Sequence, residues 1–209
     1  MVMIYNISLI YIYLKYGLRK SIYIRTTKET NININLNIDG IGKYKIFTGL
    51  FVLDHMIEQL ASHALVDIII NVKGDLNIDE HHTIEDTGIA LGYVFRLALV
   101  DKRSISRYGF CLPMDDSVAQ LYIDVGGRCQ LVWKVKFTIN KIGNVTNEMF
   151  SHLFKSFSES AKCNINIWAQ GDNEHHKIES IFKNFSRAIK MSITRNFNTN
   201  RIPTTKGLL

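Results

Sequence analysis

Residues 79–86 read DEHHTIED, and residues 172–180 read DNEHHKIES. In each, a histidine pair is followed by a glutamate: His81, His82 and Glu85, then His175, His176 and Glu179. The surroundings repeat as well. Each copy follows a Gly-Asp turn, Gly74-Asp75 and Gly171-Asp172. Each turn follows a strand-like run, LVDIIINV (65–72) and CNINIWA (163–169). Ahead of each run lies a helical stretch with a histidine of its own, His55 in 52–63 and His152 in 147–161. Six of the seven histidines fall into this doubled pattern. A helix–strand–turn–HHxxE–helix unit that occurs twice implies an internally duplicated fold.

Working outward, NININLNID (31–39) alternates and places Ile32, Ile34, Leu36 and Ile38 on one face, as a half-buried strand does. Asp39-Gly40 gives a turn, 44–47 a return strand, and 82–99 a helix. In the second half, strands fit 105–111, 117–124 and 130–138. Gly143-Asn144 breaks the chain, and Thr146 reads as the start of the next helix. The last helix, 175–194, keeps Ile178, Ile181, Phe182, Phe185 and Ile189 at helical spacing. The expected class is α+β. Two half-domains, about 25–100 and 101–194, would each be a four-stranded, mainly antiparallel sheet with two helices on one face, followed by a tail at 195–209.

Charge narrows the partners. The net charge is +6, yet residues 1–28 contribute +5 from Lys15, Arg19, Lys20, Arg25 and Lys28 and hold no acid. The other 181 residues carry 20 basic and 19 acidic groups, a nearly neutral body with no broad footprint for nucleic acid. The head, residues 1–24, is rich in Ile and Tyr. Asn6 and Lys15 interrupt it, so a membrane span is disfavoured. It fits a strand or helix on the body, the remnant of a linker, or a targeting segment. Three widely spaced cysteines without a CxxC fit a reducing cytoplasm.

Imidazoles with carboxylates and no thiolates suit Mn, Fe, Co, Ni or Zn. Six histidines and two glutamates divide into two sets of three nitrogens and one oxygen, enough for two octahedral ions with open positions. Asp54, Asp75, Asp79, Glu80, Asp86, Asp172 and Glu174 are candidates to orient these imidazoles. His63 fits a hydrogen-bonded neighbour better than a ligand. Elsewhere Arg107, Arg128 and the ending PTTKGLL (203–209) offer cations, hydroxyls and open backbone N–H groups to a phosphate.

These segments together resemble the imidazoleglycerol-phosphate dehydratases of histidine biosynthesis. The resemblance rests on TKET (27–30), TGLFVLDHM (48–56), KGDLNIDEHHTIEDTGIALG (73–92), LPMDD (112–116), EMFSHLFKSF (148–157), GDNEHHKIESIFKNFSRAI (171–189) and PTTKGLL, in the family's order and spacing. It implies a fold like the second domain of ribosomal protein S5. It implies a hydro-lyase that converts imidazoleglycerol phosphate to imidazole acetol phosphate and water. It implies two Mn²⁺ per subunit, one held by His81, Glu85, His152 and His175, the other by His55, His82, His176 and Glu179. Ligands would come from neighbouring subunits of trimers that assemble into a 24-mer. Glu29 would be the base at C2, Glu85 and Glu179 would serve as catalytic ligands, and Gln59 would lie near the site. Arg107, Arg128, Lys183, Thr205 and Lys206 would hold the phosphate. The chain differs from the family's usual residues at Val100, Ser104, Gly126, Cys129, Asn166 and Thr205. In some bacteria a histidinol-phosphate phosphatase domain precedes this one, and the chain lacks that domain's DxDxT motif. The competing readings are another dimetal enzyme, such as a phosphohydrolase, and a non-catalytic metal-stabilised assembly.

Overall fold

The computed structural model describes residues 19–99, 101–109, 112–196 and 198–209. The first half runs β1 (Lys20–Thr26), β2 (Thr30–Asn37), β3 (Tyr44–Phe47), α1 (Phe51–Ala64), β4 (Asp67–Gly74) and α2 (His81–Ala98). The second runs β5 (Tyr108–Gly109), β6 (Leu112–Met114), β7 (Ser117–Asp124), β8 (Gln130–Val135), β9 (Lys141–Ile142), β10 (Val145–Thr146), α3 (Glu148–Ala161), β11 (Asn164–Gln170) and α4 (Glu174–Ile193).

The alternation read in 31–39 has its physical counterpart. β2 buries Thr30, Ile32, Ile34 and Leu36 and turns the asparagines between them outward. β7 repeats this pattern with Ser117, Ala119, Leu121 and Ile123. The first sheet has the order β1-β2-β4-β3. Only the β3–β4 pairing is parallel. The second has the order β5-β7-β11-β8, with β6 on β7 as well, and only β8–β11 is parallel. β5 and β6 therefore act as two pieces of one edge strand, and both sheets have four positions. The helices repeat too. α1 and α3 each span 14 residues and exit through a left-handed residue, Leu65 or Lys162, both at φ 55°. The duplicated, mainly antiparallel α+β architecture expected from the sequence is the one observed.

Several boundaries differ. Of the strand expected at 105–111, residues 110 and 111 lie outside the described residues, and 105–107 are not part of β5, because Ser104 and Arg107 take left-handed backbone (φ 65° and 68°) and Ile105 forms an isolated bridge with Arg195. The strand expected at 130–138 ends at Val135. Thr146 belongs to the small β9–β10 hairpin rather than to the helix start, and Gly143-Asn144 forms its turn. At the head, Lys20–Thr26 form a strand on the body, one of the readings open to it. The line expected after residue 24 falls inside β1, which pairs with β2 along its whole length. Arg19 anchors it, through Asp39 (Nη2–Oδ1 2.5 Å) and the Ile193 carbonyl (2.6 Å). The pattern hid this strand because its polarity is inverted. Ser21 points inward onto the Val94 carbonyl (2.7 Å), while Ile22 and Ile24 point outward and are 43% and 51% exposed. Residues 1–18 lie outside the described residues. Among the described residues no helix is long and apolar enough to cross a membrane.

The helices lie between the sheets. α2 covers β1 and β2, α4 covers β7, and one continuous core joins the two halves. Helices also pair across the halves, α2 with α3 and α1 with α4. The first pairing is close enough that backbone meets backbone. A Cβ on Gly92 would stand 2.5 Å from the Phe157 carbonyl oxygen, and one on Gly88 2.8 Å from that of Leu153. This contact brings the start of α2, with its histidine pair, beside the first turns of α3, where His152 lies.

Carboxylates just ahead of the histidine pairs fix both helix starts. Glu80 accepts the Thr146 backbone N–H (3.0 Å) and hydroxyl. Glu174 accepts the Thr138 N–H (2.7 Å) and hydroxyl (2.6 Å), and its other oxygen takes the Lys177 ammonium at 2.7 Å. Both members of that ion pair are nearly buried. Burial works to raise the Glu174 carboxyl. The bonds from Lys177 and Thr138 outweigh it and hold the group below the usual carboxylate range. Its stabilisation is therefore full above the unfolded value of roughly 4.3 and is lost as pH falls through the lower folded value.

Two outcomes follow. Gly92→Ala forces a methyl against the α3 backbone and should cost about 1–3 kcal/mol in urea unfolding. Glu174→Gln leaves the Lys177 charge buried without a counter-ion. It should cost about 3–5 kcal/mol at neutral pH and flatten the acid limb of the stability curve.

Candidate metal centre

The helix starts present the histidines. Asp79 accepts the His81 N–H at 2.8 Å, and Asn173 accepts those of His175 (2.9 Å) and His176 (3.1 Å). These Asx caps open the first turn at each histidine pair.

Each pair then divides its work. His81 turns toward Glu85 (Nε2–Oε2 3.1 Å) and toward His152, whose ring lies 5.2 Å away. His175 turns toward Glu179 (Nε2–Oε2 3.6 Å) and His55, whose ring stacks at 6.0 Å. Donor atoms of His55, His175 and Glu179 all lie within 4.8 Å of one another. Each cluster joins an HHxxE helix to the lone histidine of the other half. The donor set of imidazole nitrogens and carboxylate oxygens fits a divalent transition ion.

The second histidine of each pair is held by a carboxylate. His82 Nδ1 lies 3.0 Å from Asp75 Oδ2, and His176 Nδ1 lies 2.6 Å from Asp116 Oδ1. Both bonds leave Nε2 as the ligand atom and raise the imidazole above its ordinary range. Asp116, whose carboxyl is pushed well below the usual range, also accepts the Asp172 and Asn173 N–H groups at 3.0 Å each.

Most of the other acids expected to orient imidazoles instead hold backbone. Asp172 is exposed, and Asp116 performs the task that the repeated Gly-Asp turn suggested for it. Asp54 accepts the Thr48 N–H (2.8 Å) and hydroxyl (2.6 Å). Asp86 binds Arg25 and the Thr30 hydroxyl, tying down the turn that carries Glu29. Asp75 alone among them meets a histidine ring. Sequence reasoning missed the role of Asp116, and the available signal was the doubled aspartate in LPMDD.

Glu29 is half exposed, with Oε1 3.9 Å from His82 Nε2. Gln59, one turn beyond His55, accepts from His63 Nε2 through its amide oxygen at 3.1 Å. His63 is lowered by burial and by the Lys183 and Arg187 charges, as suits a hydrogen-bonded neighbour. The resemblance assigns His175 to the ion of His81, Glu85 and His152. Within one chain His175 stands with His55 and Glu179.

Arg107, Arg128, Thr205 and Lys206 meet around one open cavity of about 640 Å³, with Tyr108 and Thr204 also on its wall. Asp124 pins the Arg107 guanidinium (Nε–Oδ1 2.6 Å, Nη2–Oδ2 2.9 Å), and Nη1 donates to the Pro203 carbonyl at 2.8 Å. Its backbone is left-handed, at φ 68°. Lys183 does not line this cavity. It bonds Glu179 Oε1 at 3.0 Å.

Comparison with known proteins agrees with this geometry. Residues 48–189 match the family model described as imidazoleglycerol-phosphate dehydratase. The histidine biosynthesis bifunctional protein HisB of Spirosoma linguale is 55% identical over 96% of the chain. The chain spans about half the length of the bifunctional relatives it matches, 53% in this case. The imidazoleglycerol-phosphate dehydratase of Methanococcus vannielii is 46% identical over 88% of the chain and 96% of that protein. The crystal structure of imidazoleglycerol-phosphate dehydratase from Staphylococcus aureus superposes with a TM-score of 0.74 and 32% identity, covering 84% of this chain and 99% of that one. The duplicated sheets, the paired HHxxE helices and these matches agree, and the chain belongs to the imidazoleglycerol-phosphate dehydratase family.

Proposed function

We propose that this chain dehydrates imidazoleglycerol phosphate to imidazole acetol phosphate, as a cytoplasmic, manganese-dependent hydro-lyase. The observation that carries this reading is the convergence of His55, His175 and Glu179 donor atoms within 4.8 Å, from helices of opposite halves. The proposed ligand sets are His81, Glu85, His152 and His175 for one ion, and His55, His82, His176 and Glu179 for the other. His175 faces the wrong set within its own chain, so this partition has it serve a neighbouring chain. The assembly is then part of the site, and trimers joined into a 24-mer are its proposed form.

When bound, the two ions would supply Lewis acidity and a template for the substrate imidazole as its imidazolate. The chain's own groups do the rest. Arg107, Arg128, Thr205 and Lys206 grip the phosphate with charge-assisted hydrogen bonds, and the resemblance adds Lys183. Glu29, beside His82, takes the C2 proton, and Gln59 lines the approach. The C3 hydroxyl leaves with a proton as water, and the resulting enol becomes the 2-oxo product. Glu85 and Glu179 each contribute one anionic oxygen per ion.

The deciding experiment loads the protein with Mn²⁺ and follows imidazoleglycerol phosphate. A 2-oxo product with its phosphate retained is expected. Release of inorganic phosphate would point to a phosphohydrolase, and no turnover to a non-catalytic assembly. Lys206→Met should raise KM for the phosphorylated substrate about 10- to 100-fold, while leaving binding of the bare imidazole unchanged. Equal losses for both would refute a phosphate role. Chelation should shift the large particle toward trimers in sedimentation velocity, and Mn²⁺ should restore it, because separated chains lack a full ligand set.

A further inference from the structure

The eight proposed ligands are not equally prepared. His82 Nδ1 is bonded to Asp75 at 3.0 Å, and His176 Nδ1 to Asp116 at 2.6 Å. Lys183 Nζ holds Glu179 Oε1 at 3.0 Å, which leaves Oε2 on the His175 side. In all three, a charged neighbour occupies the atom that an ion does not need and leaves the ligating atom free. No such partner holds His81, His152 or His175 among the described residues, and Glu85 meets only His81. His55 is likewise unheld, but it already lies within 4.8 Å of Glu179.

The holders are fixed in turn. Asp116 Oδ2 accepts two backbone N–H groups at the entry to α4, so its carboxylate cannot swing away from His176. Asp75 directly follows β4, and its Oδ1 is buried without a hydrogen-bond partner, so packing rather than a bond confines it. A ring already oriented, with Nδ1 engaged and Nε2 free, loses less freedom when it binds an ion. The held donors all belong to one proposed set, that of His55, His82, His176 and Glu179.

We propose that Asp75, Asp116 and Lys183 are positioning residues that make the two cation sites unequal, so that the His55/His82/His176/Glu179 site takes its ion first and holds it more tightly. This rests on the two-ion reading above. Outer-shell partners of this kind are worth about 10- to 100-fold in metal affinity.

The test titrates metal-stripped protein with Mn²⁺ and reads free Mn²⁺ by electron paramagnetic resonance. Two equal classes of site, separated by about 10-fold or more, are expected. Asp116→Asn keeps a carbonyl oxygen for the Asp172 and Asn173 N–H groups but presents an amide to His176. It should weaken the tight class about 10- to 100-fold and leave the weak class in place. ¹⁵N resonances of His176 should report loss of the Nδ1–H tautomer. Asp75→Asn, acting on His82 from another element, should weaken the same class and serves if the first variant folds poorly. Two ions of one common affinity would overturn the proposal. So would variants that weaken both classes equally at an unchanged melting temperature. A total below two equivalents in the parent protein would overturn the two-ion reading itself, before any variant is compared.

Discussion

The contact between helices of opposite halves is the constraint on which the rest depends. α2 and α3 approach until the Gly88 and Gly92 positions leave no room for a Cβ. That approach sets His81 beside His152, and the matching pair α1 and α4 sets His55 beside His175. Neither cluster can form within one half. A half-domain provides an HHxxE helix start and a distant lone histidine, and the interleaving of helices between two sheets joins each start to the other half's histidine. The buried aromatic cluster supports this interleaving. Phe154 of α3 packs on both Phe182 and Phe185 of α4, with ring centroids 5.2 and 5.1 Å apart. A shift of one helix would move donor atoms that now lie within 4.8 Å of one another.

Around that frame, charge serves placement. Glu80 and Glu174 stand immediately ahead of the histidine pairs and reach back to threonines of the 138–146 connection. They tie both helix starts to one segment of the second half. Asp75 and Asp116 then set the outer imidazoles. The two halves solve the same problem with residues from non-equivalent places, one after β4 and the other in the β6–β7 turn. In both halves a carboxylate meets imidazole Nδ1, supplied by whichever loop lies near enough.

The cavity lined by Arg107, Arg128, Thr205 and Lys206 is built on a different principle. Arg107 is held by Asp124 and by the tail carbonyl of Pro203, so the guanidinium also staples the tail to β7. Order in the tail and readiness of the cation are therefore one property.

The sequence by itself determined the duplication and the α+β class, and it displayed the doubled HHxxE pattern. Local periodicity and repeated spacing record these directly: β2 and β7 alternate on a buried face, and HHxxE places donors on one helical turn. β1 escaped that reading because its isoleucines face outward and its serine inward, so its place is fixed by pairing with β2 rather than by its own pattern. The short β5 escaped it because left-handed backbone at Ser104 and Arg107 is imposed by the surrounding contacts. Only the tertiary structure decided which histidine meets which carboxylate. Asp116 is 60 residues from His176 and Asp172 is four, yet the distant one makes the bond. Chain separation carries no information about the distance between side chains once strands and helices from different halves pack together, and imidazole orientation is set by that distance.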